Sequence, residues 1–244
     1  MDHKYYVFYK PYNVLNQFTK EREDHVTLAD FLNVEKDVYP VGRLDKDSEG
    51  LLLLTNDKSI NDQLLNPSNK HKRTYLVQVE NEITDVAISK LNKGVEIKID
   101  SGTYQTQPCH VKKLPKAPVL PDRDPPVRFR KNIPTSWALI ELTEGKNRQV
   151  RKMFASLGFP VLRLVRAQIE DLKVGKLEPG KYYDIKKEEL CTLLKINIKN
   201  LTQKKPLNKR KNASEHIPVE TSKPPRKPVK SAFNTYRDRR KKTK

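Results

Sequence analysis

The chain has 244 residues, and its 49 lysines and arginines exceed its 30 aspartates and glutamates, for a formal net charge of +19. It contains no run of about eighteen apolar residues, which excludes a membrane-spanning helix, and its first residues lack the apolar segment of a secretory signal. The two cysteines, Cys109 and Cys191, offer no disulfide framework and are typical of a reducing compartment. We therefore expect a cytoplasmic protein whose partner is a polyanion such as RNA, DNA or an acidic membrane surface.

The positive charge is concentrated at the C-terminal end of the chain. Residues 201–244 hold 15 basic and 3 acidic residues, a net charge of +12, whereas residues 1–200 have a net charge of +7. The C-terminal segment also contains five of the 17 prolines and few apolar residues, so it cannot bury enough surface to offset its chain entropy. We expect a folded body over residues 1–196 and a basic, disordered tail over residues 200–244, which either helps to hold a phosphate backbone or only keeps the protein in solution.

Strands are predicted where apolar residues run together or alternate, and helices where they recur every three or four positions after a capping residue. In chain order, the first elements are a strand at residues 4–10, a short helix from Thr27 to Leu32, a strand at 51–55, a helix capped by Asn56 or Asp57, a strand at 73–80, a helix from Thr84 to Gly94, and strands at 95–99 and 103–113. The later elements are a strand at 135–143, a helix from its cap Asn147 to Leu157, strands at 161–167 and 182–185, and a helix at 187–194. Strands and helices do not alternate strictly, which favours an α+β fold.

A long segment, residues 114–134, separates these two groups of elements and is rich in proline and arginine. A loop of this length inside a compact domain is usually functional. Its basic side chains, Arg128, Arg130 and Lys131 among them, are candidates for contacts with a phosphate backbone.

The segment at residues 42–57, G-R-L-D-K-D-S-E-G-L-L-L-L-T-N-D, joins an acidic turn directly to four leucines. Because a buried strand would anchor the turn, the carboxylate of Asp45 would be held rigidly. A calcium loop would use Asp45, Asp47 and Glu49, but its twelfth position is Asn56, which cannot supply a bidentate carboxylate. A two-metal site on Asp45 and Asp47 lacks supporting carboxylates and histidines. No metal site is expected here, and the scattered histidines and cysteines do not indicate zinc either.

The same segment resembles the signature of the RsuA/RluE-type pseudouridine synthases, G-R-L-D-x-x-S/T-x-G-L-L. Four further stretches resemble motifs of that family in the same order. They are K-P-Y-N-V-L at residues 10–15, R-T-Y-L-V at 73–77, E-G-K-N-R-Q-V-R-K-M at 144–153 and L-R-L-V-R at 162–166. Asn13 stands where the family usually has glycine, and asparagine also tolerates a left-handed backbone. The match over residues 4–185 implies an isomerase that converts uridine in RNA to its C-glycoside, with no cofactor and no metal.

The resemblance also implies an architecture and a substrate class. The expected fold is the pseudouridine synthase fold, with a mixed, mainly antiparallel sheet, flanking helices and a central active-site cleft. Many relatives carry an N-terminal RNA-binding domain of the S4 type, and a first strand at Lys4 leaves no room for one. That loss, together with R-K-N-I-P-T-S-W at residues 130–137, resembles the RluE branch, which acts on 23S ribosomal RNA. We therefore expect ribosomal RNA, 23S in particular, as the partner, no membrane contact, and a monomer.

The motif positions assign roles to individual residues. Asp45 matches the catalytic aspartate, and Tyr75 matches an active-site tyrosine suited to stacking on an extruded base. Arg151 matches the ion partner that keeps such an aspartate charged, and Arg43 resembles the residue that helps to extrude the nucleotide. The cleft wall is expected to include Val41, Leu44 and Leu164, and the RNA contacts are expected to include Arg43, Lys10, Lys146, Arg148, Gln149, Arg130, Lys131, Arg163 and Arg166.

Two alternative functions stay open on the sequence alone. A non-catalytic RNA-binding or ribosome-assembly factor would account for the basic tail and insert, but it does not need Asp45, Tyr75 and Arg151 together. A synthase that acts on a different ribosomal RNA site would share all five motifs. The motifs also leave open whether the aspartate attacks as a nucleophile or abstracts a ribose proton.

Overall fold

The computed structural model describes residues 2–198 and residue 201. The tail predicted at residues 200–244 therefore lies outside the described residues, apart from Leu201. The helices are α1 (Lys58–Leu65), α2 (Asp85–Lys93), α3 (Gln149–Ala155) and α4 (Lys187–Leu193), with 3₁₀ turns at Leu28–Asp30 and Pro67–Asn69. The strands are β1 (Tyr5–Lys10), β2 (Tyr39–Pro40), β3 (Glu49–Thr55), β4 (Arg73–Glu80), β5 (Glu96–Ile99), β6 (Gly102–Gln105), β7 (His110–Leu114), β8 (Thr135–Leu142), β9 (Val161–Ile169), β10 (Leu172–Lys173) and β11 (Tyr182–Asp184). Among the described residues, no helix is long and apolar enough to cross a membrane.

Within the described residues, nine strands form one sheet in the order β11–β1–β3–β9–β4–β8–β7, with β10 beside β9 and β2 beside β3. Neighbouring strands are antiparallel except β3 and β9, which run parallel with Glu49 opposite Val165. The strands β5 and β6 form a separate hairpin. The predicted α+β class with a mixed, mainly antiparallel sheet is confirmed.

The four leucines of β3 explain why this strand lies inside the molecule. All four side chains are fully buried, and successive residues of a strand point to opposite faces of the sheet. Leu51 and Leu53 pack in a cluster with α1 and α4, whereas Leu52 and Leu54 pack in a cluster around the 3₁₀ turn at Leu28–Asp30. Both faces of β3 are therefore covered, which fixes the position of the turn that precedes it.

The closest backbone approach between β3 and β9 occurs at Gly50. Its φ of +102° lies in the region that favours glycine, and a Cβ atom added there would be 2.4 Å from the carbonyl oxygen of Arg166. A side chain at this position would push the two strands apart. Gly50, the second glycine of the signature, thus permits the contact that supports the Asp45 turn from the β9 side.

The N-cap of α1 is Asp57, one of the two residues that the sequence offered for this position, and it does more than begin the helix. Asp57 accepts a hydrogen bond from the backbone N–H of Ser59 at 3.0 Å, and it also binds the Tyr5 hydroxyl and the Lys187 ammonium at 2.7 and 2.8 Å. Burial raises the pKa of Asp57, but these hydrogen bonds outweigh it and hold the pKa far below its usual range. The cap therefore ties β1, α1 and α4 together around a buried carboxylate.

Three predicted elements differ from the structure. The helix predicted from Thr27 to Leu32 is a single 3₁₀ turn, and the strand predicted at 103–113 is divided into β6 and β7, because the backbone and hydroxyl of Thr106 instead bind Val95. The predicted cap Asn147 is also wrong. The residue before α3 is Arg148, which has a left-handed backbone with φ of 52°.

Candidate active site

A cleft of about 820 Å³ opens beside the turn that precedes β3. Its lining brings together ten of the residues that the sequence singled out: Val41, Arg43, Leu44, Asp45, Tyr75, Lys146, Arg148, Gln149, Leu164 and Arg166. Val41, Leu44 and Leu164 are almost fully buried and provide its apolar wall. The remaining candidates, Lys10, Arg130, Lys131, Arg151 and Arg163, lie outside this lining.

The Asp45 turn is held in place by a buried lysine. The Lys10 ammonium donates to the carbonyl oxygens of Ser48 at 2.8 Å, Lys46 at 3.3 Å and Pro11 at 2.9 Å. Burial lowers the pKa of Lys10 to about 7, although the charge of Glu49 and of nearby aspartates opposes the shift. Lys10 was expected to contact RNA, but its side chain is fully buried, so in this structure it binds the turn.

Asp45 is paired with Arg148, and Arg148 is paired more closely with Asp47. The two terminal nitrogens of Arg148 donate to the two oxygens of Asp47 at 2.8 Å each, and one of them reaches Asp45 at 3.4 Å. The side chain of Asp45 remains 35% exposed to the cleft. Burial raises the pKa of Asp47, but the Arg148 hydrogen bonds and the Arg151 charge together hold it below the usual value. Arg148 in turn has a raised pKa because of Asp47.

Arg151 lies behind this pair and binds the turn from outside the cleft. It donates to the main-chain oxygen of Asp47 at 2.6 Å and to that of Val161 at 3.2 Å, and its Nε lies 3.3 Å from the Asp47 carboxylate. The motif position implied that Arg151 is the ion partner of Asp45. In the structure Asp45 contacts Arg148 instead, the residue that precedes α3 and has a left-handed backbone.

Tyr75 lies in β4 with its ring in the cleft lining, half-buried against two apolar clusters. Its neighbour on β9 is Arg166, whose side chain is almost fully buried and donates from Nε to the Leu51 carbonyl at 2.7 Å. Burial lowers the pKa of the Arg166 guanidinium, and the Tyr75 hydroxyl opposes that shift. Arg166 was expected to contact RNA, and its burial places it under the tyrosine instead.

A buried ion pair fixes the first residue of β3. Arg163 binds Glu49 through two hydrogen bonds of 3.0 and 2.8 Å, and it also donates to the Pro121 carbonyl at 2.8 Å. Both charged side chains are less than 10% exposed. Arg163 was also expected to contact RNA. In this structure its charge is matched by a carboxylate far away in the sequence, which no local pattern reveals.

The opposite wall of the cleft contains residues that sequence reasoning missed. Glu144 accepts hydrogen bonds from the Tyr104 hydroxyl at 2.6 Å and from the Gln149 side chain at 2.5 Å, and Lys146 lies 4.6 Å from the centroid of the Tyr104 ring. Gln149, expected to contact RNA, is buried and also accepts the backbone N–H of Lys146 at 2.8 Å. Glu144 is the first residue of the E-G-K-N-R motif, so the sequence could have indicated it as a site residue. Tyr104 belongs to none of the five motifs.

The model of the family described as RNA pseudouridylate synthase matches residues 4–156, a range that includes Asp45, Tyr75 and Arg148. The chain belongs to this family. The predicted resemblance is confirmed, and family membership makes the protein an RNA-modifying isomerase.

Other members of the RNA pseudouridylate synthase family are similar over most of this chain. A ribosomal large subunit pseudouridine synthase E from Vibrio parahaemolyticus is 48% identical over 182 residues, which cover 75% of this chain and 74% of the relative. One of the same name from Xanthomonas campestris pv. campestris is 45% identical over 71% of this chain and 90% of its own. A dual-specificity RNA pseudouridine synthase RluF from Shigella flexneri is 34% identical over 83% of this chain and 61% of its own.

A solved structure supports the synthase fold. A crystal structure described as a pseudouridylate synthase has a TM-score of 0.63 and 24% sequence identity, covering 79% of this chain and 74% of its own. The fold is therefore that of the family, as the sequence predicted.

Within this synthase fold, the cleft lining brings the carboxylates of Asp45 and Glu144 together with arginines, among them Arg43 and Arg148, and with the rings of Tyr75 and Tyr104. Asp45 has a single long contact with Arg148, which leaves most of its oxygen lone pairs open toward the cleft. Asp47, which the sequence suggested only as a metal ligand, is the residue that binds both Arg148 and Arg151. Among the described residues, no group of three histidine, cysteine or carboxylate side chains could hold a metal ion.

Proposed function

We propose that the protein isomerises one uridine of ribosomal RNA, of the 23S species, to pseudouridine, with Asp45 as the catalytic carboxylate. The observation that carries the proposal is the position of Asp45, which is held rigidly at a cleft beside Tyr75 and Arg148. The names of the relatives, which refer to the ribosomal large subunit, support the choice of substrate.

Asp45 has the surroundings that an ionised carboxylate requires. The reaction breaks the bond between N1 of uracil and C1′ of ribose and reforms it between C5 and C1′, so a charged group must act on the nucleotide as nucleophile or base. Arg148 offers positive charge 3.4 Å from the Asp45 carboxylate. The Lys10 hydrogen bonds to the turn hold the carboxylate in place during the reaction.

Tyr75 and the apolar wall suit an extruded base. A uridine inside folded RNA must leave its stack before it can react, at a cost of a few kcal/mol. The Tyr75 ring offers a planar surface for the uracil, and Val41, Leu44 and Leu164 exclude water around it. Arg43 is exposed at the cleft, where its guanidinium fits the role of filling the gap that the base leaves.

The exposed basic side chains of the cleft are proposed to contact the RNA backbone, and a buried one is proposed to position the turn. Arg43, Lys146 and Arg148 are exposed at the cleft and are proposed to contact phosphates near the target uridine. Arg151 acts as a positioning residue through Asp47. We further propose that the protein works as a monomer, without a cofactor, in the cytoplasm where ribosomal RNA is found.

The test is to incubate the purified protein with an unmodified 23S ribosomal RNA transcript and to map new pseudouridines by nucleotide position. The wild type should produce one site, and Asp45→Asn should bind the transcript with similar affinity but form no product. Asp171→Asn is a matched control because it removes an exposed carboxylate outside the cleft, and it should leave the yield unchanged.

Two results would contradict the proposal. If wild type binds the transcript without forming pseudouridine, the protein is a binding or assembly factor. If Asp45→Asn retains full activity, the catalytic carboxylate is another residue. If pseudouridine forms on 16S and not on 23S transcripts, the proposed reaction stands but the proposed substrate is wrong.

A further inference from the structure

The insert between β7 and β8, residues 115–134, is fixed to the body at its first half. The Pro121 carbonyl accepts a hydrogen bond from the buried Arg163 at 2.8 Å. The guanidinium of Arg123 lies 4.1 Å from the centroid of the Tyr12 ring, and Tyr12 follows directly on the Lys10–Pro11 corner that supports the Asp45 turn. The insert therefore runs beside the outer side of the catalytic turn.

The second half of the insert is anchored as well. Arg130 forms an ion pair with Glu80 at the end of β4, and the backbone N–H of Ile133 donates to the Arg130 carbonyl at 3.2 Å. The backbone of Pro134 then binds Asn81 at 2.8 Å before β8 begins. With both ends attached, the residues between Arg123 and Arg130 form a supported projection from the protein surface.

Phe129 lies at this projection with 86% of its side chain exposed. Isolated exposed apolar residues are common on protein surfaces, and Val119 in the same insert is another. Phe129 differs because its neighbours are cationic. Arg128, Arg130 and Lys131 are also exposed. Arg130 is paired with Glu80, so Arg128 and Lys131 are the cations that accompany the aromatic ring along the chain. Neither the described core nor the cleft uses this ring.

We infer that Phe129 stacks on an unpaired base of the RNA substrate outside the cleft, while Arg128 and Lys131 bind the adjacent phosphates. This inference rests on the proposed function, since it assumes that the polyanion is RNA. An aromatic ring flanked by basic residues is the arrangement by which proteins hold single-stranded nucleic acid. The ring offers a surface to a base, and the charges match the backbone on either side.

The chemistry favours an unpaired nucleotide over the two other occupants of such a surface. A paired base hides its faces within the helical stack, so a projecting ring can only stack on a base that is splayed out. An apolar protein surface would bury Phe129 but would offer no counter-charge to the neighbouring Arg128 and Lys131. The insert is therefore expected to dock a loop, bulge or single-stranded flank near the target uridine.

The experiment measures binding of the full chain to an unmodified 23S ribosomal RNA transcript and to a single-stranded oligouridylate. Phe129→Ala should weaken both by roughly 5- to 150-fold, the range for losing one base–aromatic stack. The slope of affinity against salt should be the same as for wild type, because the ring carries no charge. Phe129→Trp, which retains a stacking surface, should restore binding, and Phe129→Leu, which is apolar without a ring, should not.

Val119→Ala is the matched control, since it removes another exposed apolar side chain from the same insert and should leave affinity unchanged. Unchanged affinity for Phe129→Ala, or full restoration by leucine, would overturn the inference. A loss confined to assembled ribosomal particles, with naked RNA bound normally, would overturn it in favour of a protein surface. The proposed function fails separately, if the wild type forms no pseudouridine while Phe129→Ala still weakens RNA binding.

Discussion

Arg148 binds both oxygens of Asp47 at 2.8 Å and reaches Asp45 with only one nitrogen, at 3.4 Å. The principal partner of this guanidinium is thus Asp47, two residues beyond the proposed catalytic aspartate, and not Asp45 itself. A carboxylate that accepts a close bidentate pair of hydrogen bonds is strongly stabilised and therefore less reactive. Asp47 keeps Arg148 close to Asp45, with only one long contact between the two side chains.

Replacement of Asp47 by asparagine should slow the reaction more than it weakens RNA binding. The loss of the carboxylate frees Arg148 to close on Asp45 and removes the ionic contact of Arg151, so the reacting groups are misplaced. We expect the single-turnover rate of pseudouridine formation to fall about 10- to 100-fold, measured at saturating RNA. Asp171→Asn serves again as the control, and an unchanged rate in Asp47→Asn would show that Arg148 is positioned by other contacts.

Lys10 should make stability depend on pH in a predictable direction. Its pKa is about 7 in the folded protein against an ordinary 10.5, so between these values the unfolded chain binds a proton that the folded protein does not. The cost of burying a charged amine is therefore fully present below pH 7 and is relieved as the pH rises toward 10.5. Between pH 7 and 10.5, the free energy of unfolding of the wild type should therefore rise relative to that of Lys10→Met by up to about 1.4 kcal/mol per pH unit.

Urea unfolding at pH 7, 8 and 9 measures this difference. Lys113→Met is a suitable control because Lys113 is an exposed lysine paired with Glu82, and its curve should run parallel to that of the wild type. Parallel curves for Lys10→Met and the wild type would mean that the buried amine stays protonated throughout.

Removing one partner of the Glu49–Arg163 pair should destabilise the protein much more than replacing both partners with apolar residues. Glu49→Gln leaves a buried guanidinium without its counter-charge, and we expect a loss of about 3–5 kcal/mol in the free energy of unfolding. The double replacement Glu49→Met with Arg163→Met removes both charges and should recover much of that loss. Glu82→Gln, at an exposed ion pair, should have little effect. Urea unfolding decides, and a small effect of Glu49→Gln alone would contradict the prediction.

Gly50 should tolerate no side chain. Gly50→Ala combines an unfavourable φ with a Cβ atom 2.4 Å from the Arg166 carbonyl, so it should separate β3 from β9 and lower both stability and activity. Gly102→Ala is the matched control, with a φ of +116° and no described atom within 4 Å of the added Cβ. It should cost only the backbone strain, about 1 kcal/mol. Equal melting temperatures of the two variants would argue against a packed contact at Gly50.

Much of the fold followed from local patterns. The leucine run of β3 predicted a buried strand because apolar residues at every position require cover on both faces, and Asp57 predicted the start of α1. The candidate cleft residues came from the family motifs, and in the structure Val41, Leu44, Tyr75 and Leu164 line the same cleft as Asp45.

The remaining features depend on contacts between distant residues. A lysine and two arginines suggested a surface that binds RNA, and only the tertiary structure shows Lys10, Arg163 and Arg166 buried against carbonyl oxygens and Glu49. Asp45 contacts Arg148 and not Arg151. Arg148 has a left-handed backbone, a conformation that arginine rarely adopts. No window of sequence contains that information.

The parallel pairing of β3 with β9 joins parts of the chain that are synthesised far apart. Glu49 and Arg163 are separated by 114 positions, so β3 has a partner on that side only after nearly the whole domain has been made. Contacts between such distant residues slow folding because the intervening loop must close first. A nascent or truncated chain that lacks β9 would retain the Lys10 contacts to the Asp45 turn but not the support that β9 gives to β3, so the complete cleft forms only with the completed domain.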